Sequence, residues 1–263
     1  MNNAKIRIII LFSLFCASIQ AQNDSVKFYY LGHSSFLISF DNDTSILTDY
    51  GKPNAYLEYG WDSPIYDIGN FQPTICTYSH SHDDHYDSTR ISFDNCITLN
   101  KADTLTFKNL VIYPILTSEN NVSIKDNRSY LIDYKGIKIL HLGDCQANII
   151  NIDSFENVKY VRNNIPLDCD VVLIPIESTS KFIPQLERFI RVIHPKTVIP
   201  MHYWSNEYKQ EFLTYLENEN FTHQELGYKI TIVHGSKYTY HRNKDTNEII
   251  HIMSLSPSKF SNQ

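Results

Sequence analysis

Between positions 80 and 85 the chain reads His80-Ser81-His82-Asp83-Asp84-His85. Neutral imidazoles and carboxylates are the donors that zinc and similar borderline divalent ions accept. The run follows a β-rich stretch, 74–79. In an extended chain alternate residues point the same way, so His80 and His82 are expected to converge on one ion. Asp84 and His85, in the turn that follows, are expected to face a second ion beside it. Histidine makes up 11 of the 263 residues, too few for such a cluster to be expected from composition. The competing reading is a hydrated polar loop. Two further positions carry the same chemistry. Asp144 closes the apolar stretch His141-Leu142-Gly143, where a bare carboxylate is costly unless a cation meets it. His202 closes Val198-Ile199-Pro200-Met201, where a core or surface role is the alternative.

The elements that must carry these residues fall into two styles. Residues 27–40 and 44–50 are β-rich runs separated by Asp41-Asn42-Asp43, a natural turn. Residues 51–70 hold Pro, Gly, Asn and Tyr and read as a long loop. Short strands are predicted at 73–79, 97–100 and 110–116, and a hairpin at 129–134 and 137–142 around Lys135-Gly136. The second half alternates. A strand at 170–174 precedes a helix marked by Phe182, Leu186, Phe189, Ile190 and Ile193, with Pro184 tolerable in its first turn. A strand at 197–201 precedes a second helix marked by Tyr208, Phe212, Tyr215 and Leu216, and 229–233 and 238–241 close in strands. This order predicts an α/β protein with two sheets and helices outside, in one domain over 22–263.

Composition removes other classes. A chain that is 42% hydrophobic and 13% aromatic is not disordered, and 8 Gly and 10 Pro rule out a collagen-like chain or a linker. Net charge is −6 with no clustered Lys/Arg run, so no nucleic-acid partner is expected. Residues 1–21 have the three-part pattern of a secretory signal: Lys5 and Arg7, an apolar run over 8–15, then Ala17-Ser18-Ile19-Gln20-Ala21. Cleavage after Ala21 and export to the periplasm or medium are expected; the alternative is a buried first element. The run is too short for a stable membrane anchor. Apart from Cys16, the cysteines are Cys76, Cys96, Cys145 and Cys169, with no C-x-x-C pair. Free buried thiols are the expectation, with oxidation left open.

The cluster and its flanks together resemble the metallo-β-lactamase superfamily. H-x-H-x-D-H follows a strand, and Ile46-Leu47-Thr48-Asp49, His141-Leu142-Gly143-Asp144 and Val198-Ile199-Pro200-Met201-His202-Tyr203 follow in order. The opening Leu31-Gly32-His33-Ser34-Ser35-Phe36-Leu37-Ile38 is similar to the branch containing ascorbate-6-phosphate lactonase and N-acyl-phosphatidylethanolamine phospholipase D. The resemblance implies an αββα sandwich of two mostly antiparallel or mixed sheets packed face to face. It also implies two divalent metal ions, zinc first and manganese or iron as alternatives. His80 and His82 then hold the first ion, Asp84, His85 and His202 the second, and Asp144 bridges them. Asp49 matches a residue that orients a ligand imidazole, though an Asp before Gly51 is also a turn former. His33 and His141 are candidates for similar supporting contacts, or for purely structural roles.

The chain departs from this pattern at one point. The superfamily usually supplies a third histidine to the first ion, yet no His lies between His85 and His141. Thr117-Ser118-Glu119-Asn120-Asn121 follows the strand that should deliver it. Glu119 is an oxygen ligand on one reading and a solvated loop acid on the other, and loop polarity favours the second. The implied reaction is attack by a metal-bound hydroxide on an ester, lactone, amide or phosphodiester of a small-molecule or lipid-like substrate. Asp84 is the candidate proton acceptor, and Tyr203 or Tyr50 the candidate for steadying oxyanion charge. Two competitors stand beside this reading: a mononuclear iron redox variant of the same fold, and a non-catalytic metal- or partner-binding protein.

Overall fold

The computed structural model describes residues 24–40, 43–99, 103–177, 180–219, 227–242 and 249–261. The proposed signal segment, most of the Asp41-Asn42-Asp43 turn, Asn100 and His223 lie outside the described residues. The strands are β1 Ser25–Gly32, β2 Ser35–Ser39, β3 Ser45–Thr48, β4 Ile75–Thr77, β5 Ile97–Leu99, β6 Leu105–Phe107, β7 Leu110–Thr117, β8 Asn127–Tyr134, β9 Ile137–His141, β10 Val171–Pro175, β11 Thr197–Met201, β12 Gly227–Ile232, β13 Lys237–His241 and β14 Ile249–Ser254. The helices are α1 Gln146–Ile150, α2 Phe155–Asn164, α3 Ile183–Ile193 and α4 Asn206–Glu219.

These strands form two mixed sheets. One has the order β13-β1-β2-β3-β4-β5 and the other β12-β14-β11-β10-β9-β8-β7-β6. In the first, β1, β2 and β3 are antiparallel neighbours and β3, β4 and β5 run parallel. In the second, β9, β10 and β11 are parallel, while β7, β8 and β9 form an antiparallel meander. The central strands β10 (VVLIP) and β11 (TVIPM) are buried along their whole length, as strands covered on both faces must be. Pro200 is tolerated in a central strand because β14 pairs only with Thr197 and Val198, so its missing N–H falls past that ladder.

One core joins Phe28, Phe36 and Ile46 of the first sheet to Ile112, Tyr130 and Ile139 of the second, so the sheets pack face to face. Leu186, Phe189 and Ile190 of α3 and Phe212 and Leu216 of α4 belong to the same core. The alternate residues Leu37, Leu47 and Cys76 form a second cluster, with Ile65 and Ile68 from the long loop. The outer face of the first sheet is therefore covered by that loop, not by a helix, among the described residues.

Several local expectations are corrected. Residues 27–40 are not one run but a β1–β2 hairpin. The segments read as strands at 229–233 and 238–241 are strands, β12 in one sheet and β13 in the other. Sequence reasoning missed β6, β14, α1 and α2. α2 fully buries only Asn157 and Val161, with Val158 and Tyr160 packed partly against the core, so its apolar stripe is short; Ser154 caps it by accepting from the Asn157 N–H at 3.2 Å.

Candidate metal centre

The residues singled out by type converge at the carboxyl ends of strands from both sheets. Asp49 follows β3, His80 to His85 follow β4, Glu119 follows β7, Asp144 follows β9, Glu177 follows β10 and His202 follows β11. Positioning starts at Ser79. Its N–H donates to Asp49 Oδ1 at 2.7 Å and its hydroxyl to Asp49 Oδ2 at 2.9 Å. Asp49 Oδ2 also lies 2.9 Å from His85 Nδ1, which leaves Nε2 of that ring facing the cluster. Asp49 is fully buried, which alone would raise its pKa; the charge of His85 outweighs this and holds the carboxyl at about 2. A second anchor is Asn127 of β8. It donates to Thr117 Oγ1 at 2.6 Å and to the Leu142 carbonyl at 3.0 Å, and accepts the Asp144 N–H at 3.0 Å.

The expected extended geometry of His80 and His82 is not what forms. β4 ends at Thr77, and residues 79–85 turn, with the N–H groups of His85 and Tyr86 both donating to the His82 carbonyl at 2.9 Å. The turn still brings the two rings within 4.5 Å. Donor atoms of His80, His82 and Asp84 fall within 4.8 Å of one another, as do those of His80, His85 and Asp144, and of Asp144, Glu177 and His202. A further group joins His33, Asp84, His85 and His202. Within it, His33 Nε2 is 2.8 Å from Asp84 Oδ2, and His85 Nε2 is 2.9 Å from His202 Nε2. His33 thus faces Asp84 directly. His141 plays another part: it is buried, Nε2 contacts the Ser34 carbonyl at 3.0 Å, and Nδ1 accepts the Gly143 N–H at 3.2 Å. That contact fixes the turn carrying Asp144.

Electrostatics mark the centre as short of positive charge. Burial pushes Asp144 up to about 8, and the neighbouring Glu177 adds to this. Burial would lower His202, but Asp144 and Glu177 outweigh it and bring the ring to about 9. His33 falls to about 3, from burial first and His202 second; His80 falls to about 2, from burial and then His85. Buried His80 Nε2, Asp84 Oδ1, Asp144 Oδ1 and His202 Nδ1 have no hydrogen-bond partner. Buried polar atoms without partners are costly, and a divalent cation is the ligand that this donor set suits. Three residues of the centre also have left-handed backbones: His33 (φ 48°), Asp49 (φ 39°) and His202 (φ 51°). Such conformations cost of order 1–3 kcal/mol each and concentrate at functional sites.

The structure moves some candidates. Glu119 is not a solvated acid: it lies 3.3 Å from His82 Nδ1 and 3.7 Å from His80 Nε2, and burial raises its pKa. Neither tyrosine considered for oxyanion support belongs to the donor groups. The Tyr50 hydroxyl donates to Asp67 at 3.0 Å beneath the Arg90 guanidinium, and Tyr203 packs beside Tyr30. Sequence reasoning also missed Glu177, which accepts from Trp204 Nε1 at 3.0 Å and lies 3.5 Å from His202 Nδ1. Its sequence signal was its place directly after an apolar strand. Trp204 stands 4.6 Å from the His33 ring, and Trp61 of the long loop stands 4.9 Å from Trp204.

Two facing mixed sheets with a His/Asp donor cluster at their shared edge define the metallo-β-lactamase fold. Residues 27–202 match the β-lactamase superfamily domain, and the chain belongs to that family. No curated protein matches the chain. Among solved structures it is similar to a protein from Thermotoga maritima named as a Zn-dependent hydrolase of the metallo-β-lactamase superfamily. That likeness has 18% identity and TM-score 0.57, and covers 88% of this chain and 100% of the other. A protein from Parabacteroides distasonis named as a metal-dependent hydrolase matches at 19% identity and TM-score 0.51, over 72% and 93%. A mutant of the β-hydroxylase CmlA matches at 13% identity and TM-score 0.51, over 83% of this chain and 54% of its own. Likenesses this distant establish the fold and leave the reaction to the site.

Proposed function

We propose that the protein is a metal-dependent hydrolase that cleaves an ester, lactone or phosphodiester of a substrate with an apolar portion. The observation that carries this reading is the cluster of buried, unpartnered carboxylate and imidazole atoms at the ends of strands from both sheets. His80, His82 and Glu119 would hold one divalent ion, Asp84, His85 and His202 the other, with Asp144 shared between them. Such ions lower the pKa of bound water from 15.7 to roughly 7 and polarise a carbonyl or phosphoryl oxygen.

The chain's own groups do the rest. His33 steadies Asp84 through Oδ2, which leaves Oδ1 as the atom that would face the second ion. Trp204, Trp61 and Tyr59 form an aromatic wall running outward from His33; Trp61 is 45% exposed and Tyr59 66%. That wall suits an acyl or aromatic portion of the substrate. A cavity of about 450 Å³ borders His80 and is lined by Ser79, Tyr86, Leu116, Lys125, Asp126 and Arg128, a mixed polar and apolar wall.

Elemental analysis of the purified protein, joined to an ester, lactone and phosphodiester screen, tests this. Two divalent ions per chain are expected, with turnover abolished in His82→Ala and Asp144→Asn. Turnover that survives both substitutions with full metal content refutes the site. One iron per chain and no hydrolysis would favour the redox reading, which the carboxylate of Glu119, a donor suited to harder ions, keeps open.

A further inference from the structure

Cys76 lies in β4, four residues before His80, and Cys96 lies directly before β5. In the parallel β4–β5 pair Cys76 is registered with Thr98, which makes Cys96 its diagonal neighbour. The two sulfurs are 3.0 Å apart. We propose that Cys76 and Cys96 are the redox-active pair of this chain and close a disulfide that staples the loop carrying the whole H-x-H-x-D-H segment.

Three observations carry this. First, a disulfide forms at about 2.05 Å between sulfurs, so these need approach by only about 1 Å, within reach of small side-chain rotations. Second, the pair is unequal in the way that exchange requires. Cys96 is the less buried residue of the two, and the sulfur contact lowers its pKa, while the same contact and burial raise that of Cys76. Third, the remaining thiols are elsewhere: Cys145 and Cys169 are buried in the other core cluster, and burial raises both. Cys76 and Cys96 both belong to the smaller apolar cluster, with Tyr78, Tyr86, Ile91 and Phe93.

The reaction needs a disulfide oxidant such as a low-molecular-weight disulfide. Cys96 thiolate attacks one sulfur of the oxidant, forming a mixed disulfide and releasing one thiolate. Cys76 then loses its proton, attacks the Cys96 sulfur and releases the second. The protein loses two electrons and two protons, and the oxidant leaves as two thiols. Residues 76–96 become a closed loop containing His80, His82, Asp84 and His85. Nothing in this depends on the hydrolytic reading, and its test does not use turnover.

The full-length protein is equilibrated with oxidised glutathione, then denatured, alkylated and mapped by mass spectrometry, and melted with and without dithiothreitol. A Cys76–Cys96 cross-linked peptide two hydrogens lighter is expected, with Cys145 and Cys169 alkylated. Closing a loop of this length should raise Tm by about 6–12 °C over the reduced protein. Cys96→Ser should melt like the reduced wild type and ignore the reductant; Cys145→Ser should keep the reductant-sensitive shift. Alkylation of all four thiols after oxidation, a cross-link involving Cys145 or Cys169, or a Tm indifferent to reductant would overturn the proposal.

Discussion

Replacing Gly143 with alanine tests how the metal loop and the Gly-Asp turn are keyed to each other. Gly143 has φ +59°, and a β-carbon built on it would lie 2.3 Å from Ser79 Cβ and 2.8 Å from Asn127 Oδ1. Gly69 has the same φ, +59°, with nothing within 4 Å of such a carbon. Gly69→Ala therefore carries only the left-handed backbone cost, about 1–2 kcal/mol. Gly143→Ala carries that cost plus overpacking of about 1–3 kcal/mol. Ser79 cannot retreat cheaply, since its N–H and hydroxyl are both spent on Asp49. For a chain of this size each kcal/mol is worth roughly 2–4 °C in Tm. Differential scanning calorimetry should show Gly143→Ala melting about 2–12 °C below Gly69→Ala. Metal content should separate them further, with Gly69→Ala at wild-type occupancy and Gly143→Ala depleted, because the clash displaces both Ser79 and Asn127. Equal melting points and equal occupancy would show that the close contact does not exist in solution.

Other outcomes follow from the same contacts. Asp49→Asn should keep the fold but weaken metal binding by about 10–100-fold, measured by competition with a chromogenic chelator; unchanged affinity would mean that Asp49 does not orient His85. Zinc titration of the metal-free protein should show one tight and one weak step, and Glu119→Gln should alter the weak step alone; two steps indifferent to this change would remove Glu119 from the first position. Burial lowers the pKa of His141, so its contribution to stability is full above the ordinary value of 6.5 and is lost as pH falls below it, by at most about 1.36 kcal/mol per pH unit. His141→Gln should therefore lose less Tm than wild type between pH 6.5 and 5, and parallel curves would contradict this. If residues 1–21 are the export signal we propose, mass spectrometry of secreted protein should find an N-terminus near Gln22 and not Met1.

Much of this molecule is written locally. His80 to His85 are legible from their dense His/Asp spacing, and Asp144 and His202 because each ends an apolar run, where a polar residue has few places to go. α3 is legible because five apolar residues repeat at helical spacing around a tolerated Pro184. What escapes is contact between distant segments. Glu119 reads as solvated because Thr117-Ser118-Glu119-Asn120-Asn121 says nothing about the two imidazoles it meets from the turn after β4. His33 and Asp84 are 51 positions apart, and Trp204 and Glu177 are 27 apart. The proximity of Cys76 to Cys96 depends on β4 and β5 being parallel neighbours, which no spacing rule encodes. α2 escapes for another reason: its inward apolar residues are only Val158, Tyr160 and Val161, too few to set a period, and Phe155 points to solvent.

The left-handed backbones of His33, Asp49 and His202 have an evolutionary consequence. At all three positions the bare chain would be more comfortable with glycine, or with asparagine in place of either histidine. A library selected only for thermal tolerance should therefore drift toward those residues and discard the donor set as it gains robustness. Any lineage that keeps histidine and aspartate there is holding them against the preference of its own backbone. The local sequence optimum for folding and the optimum for the centre are different sequences.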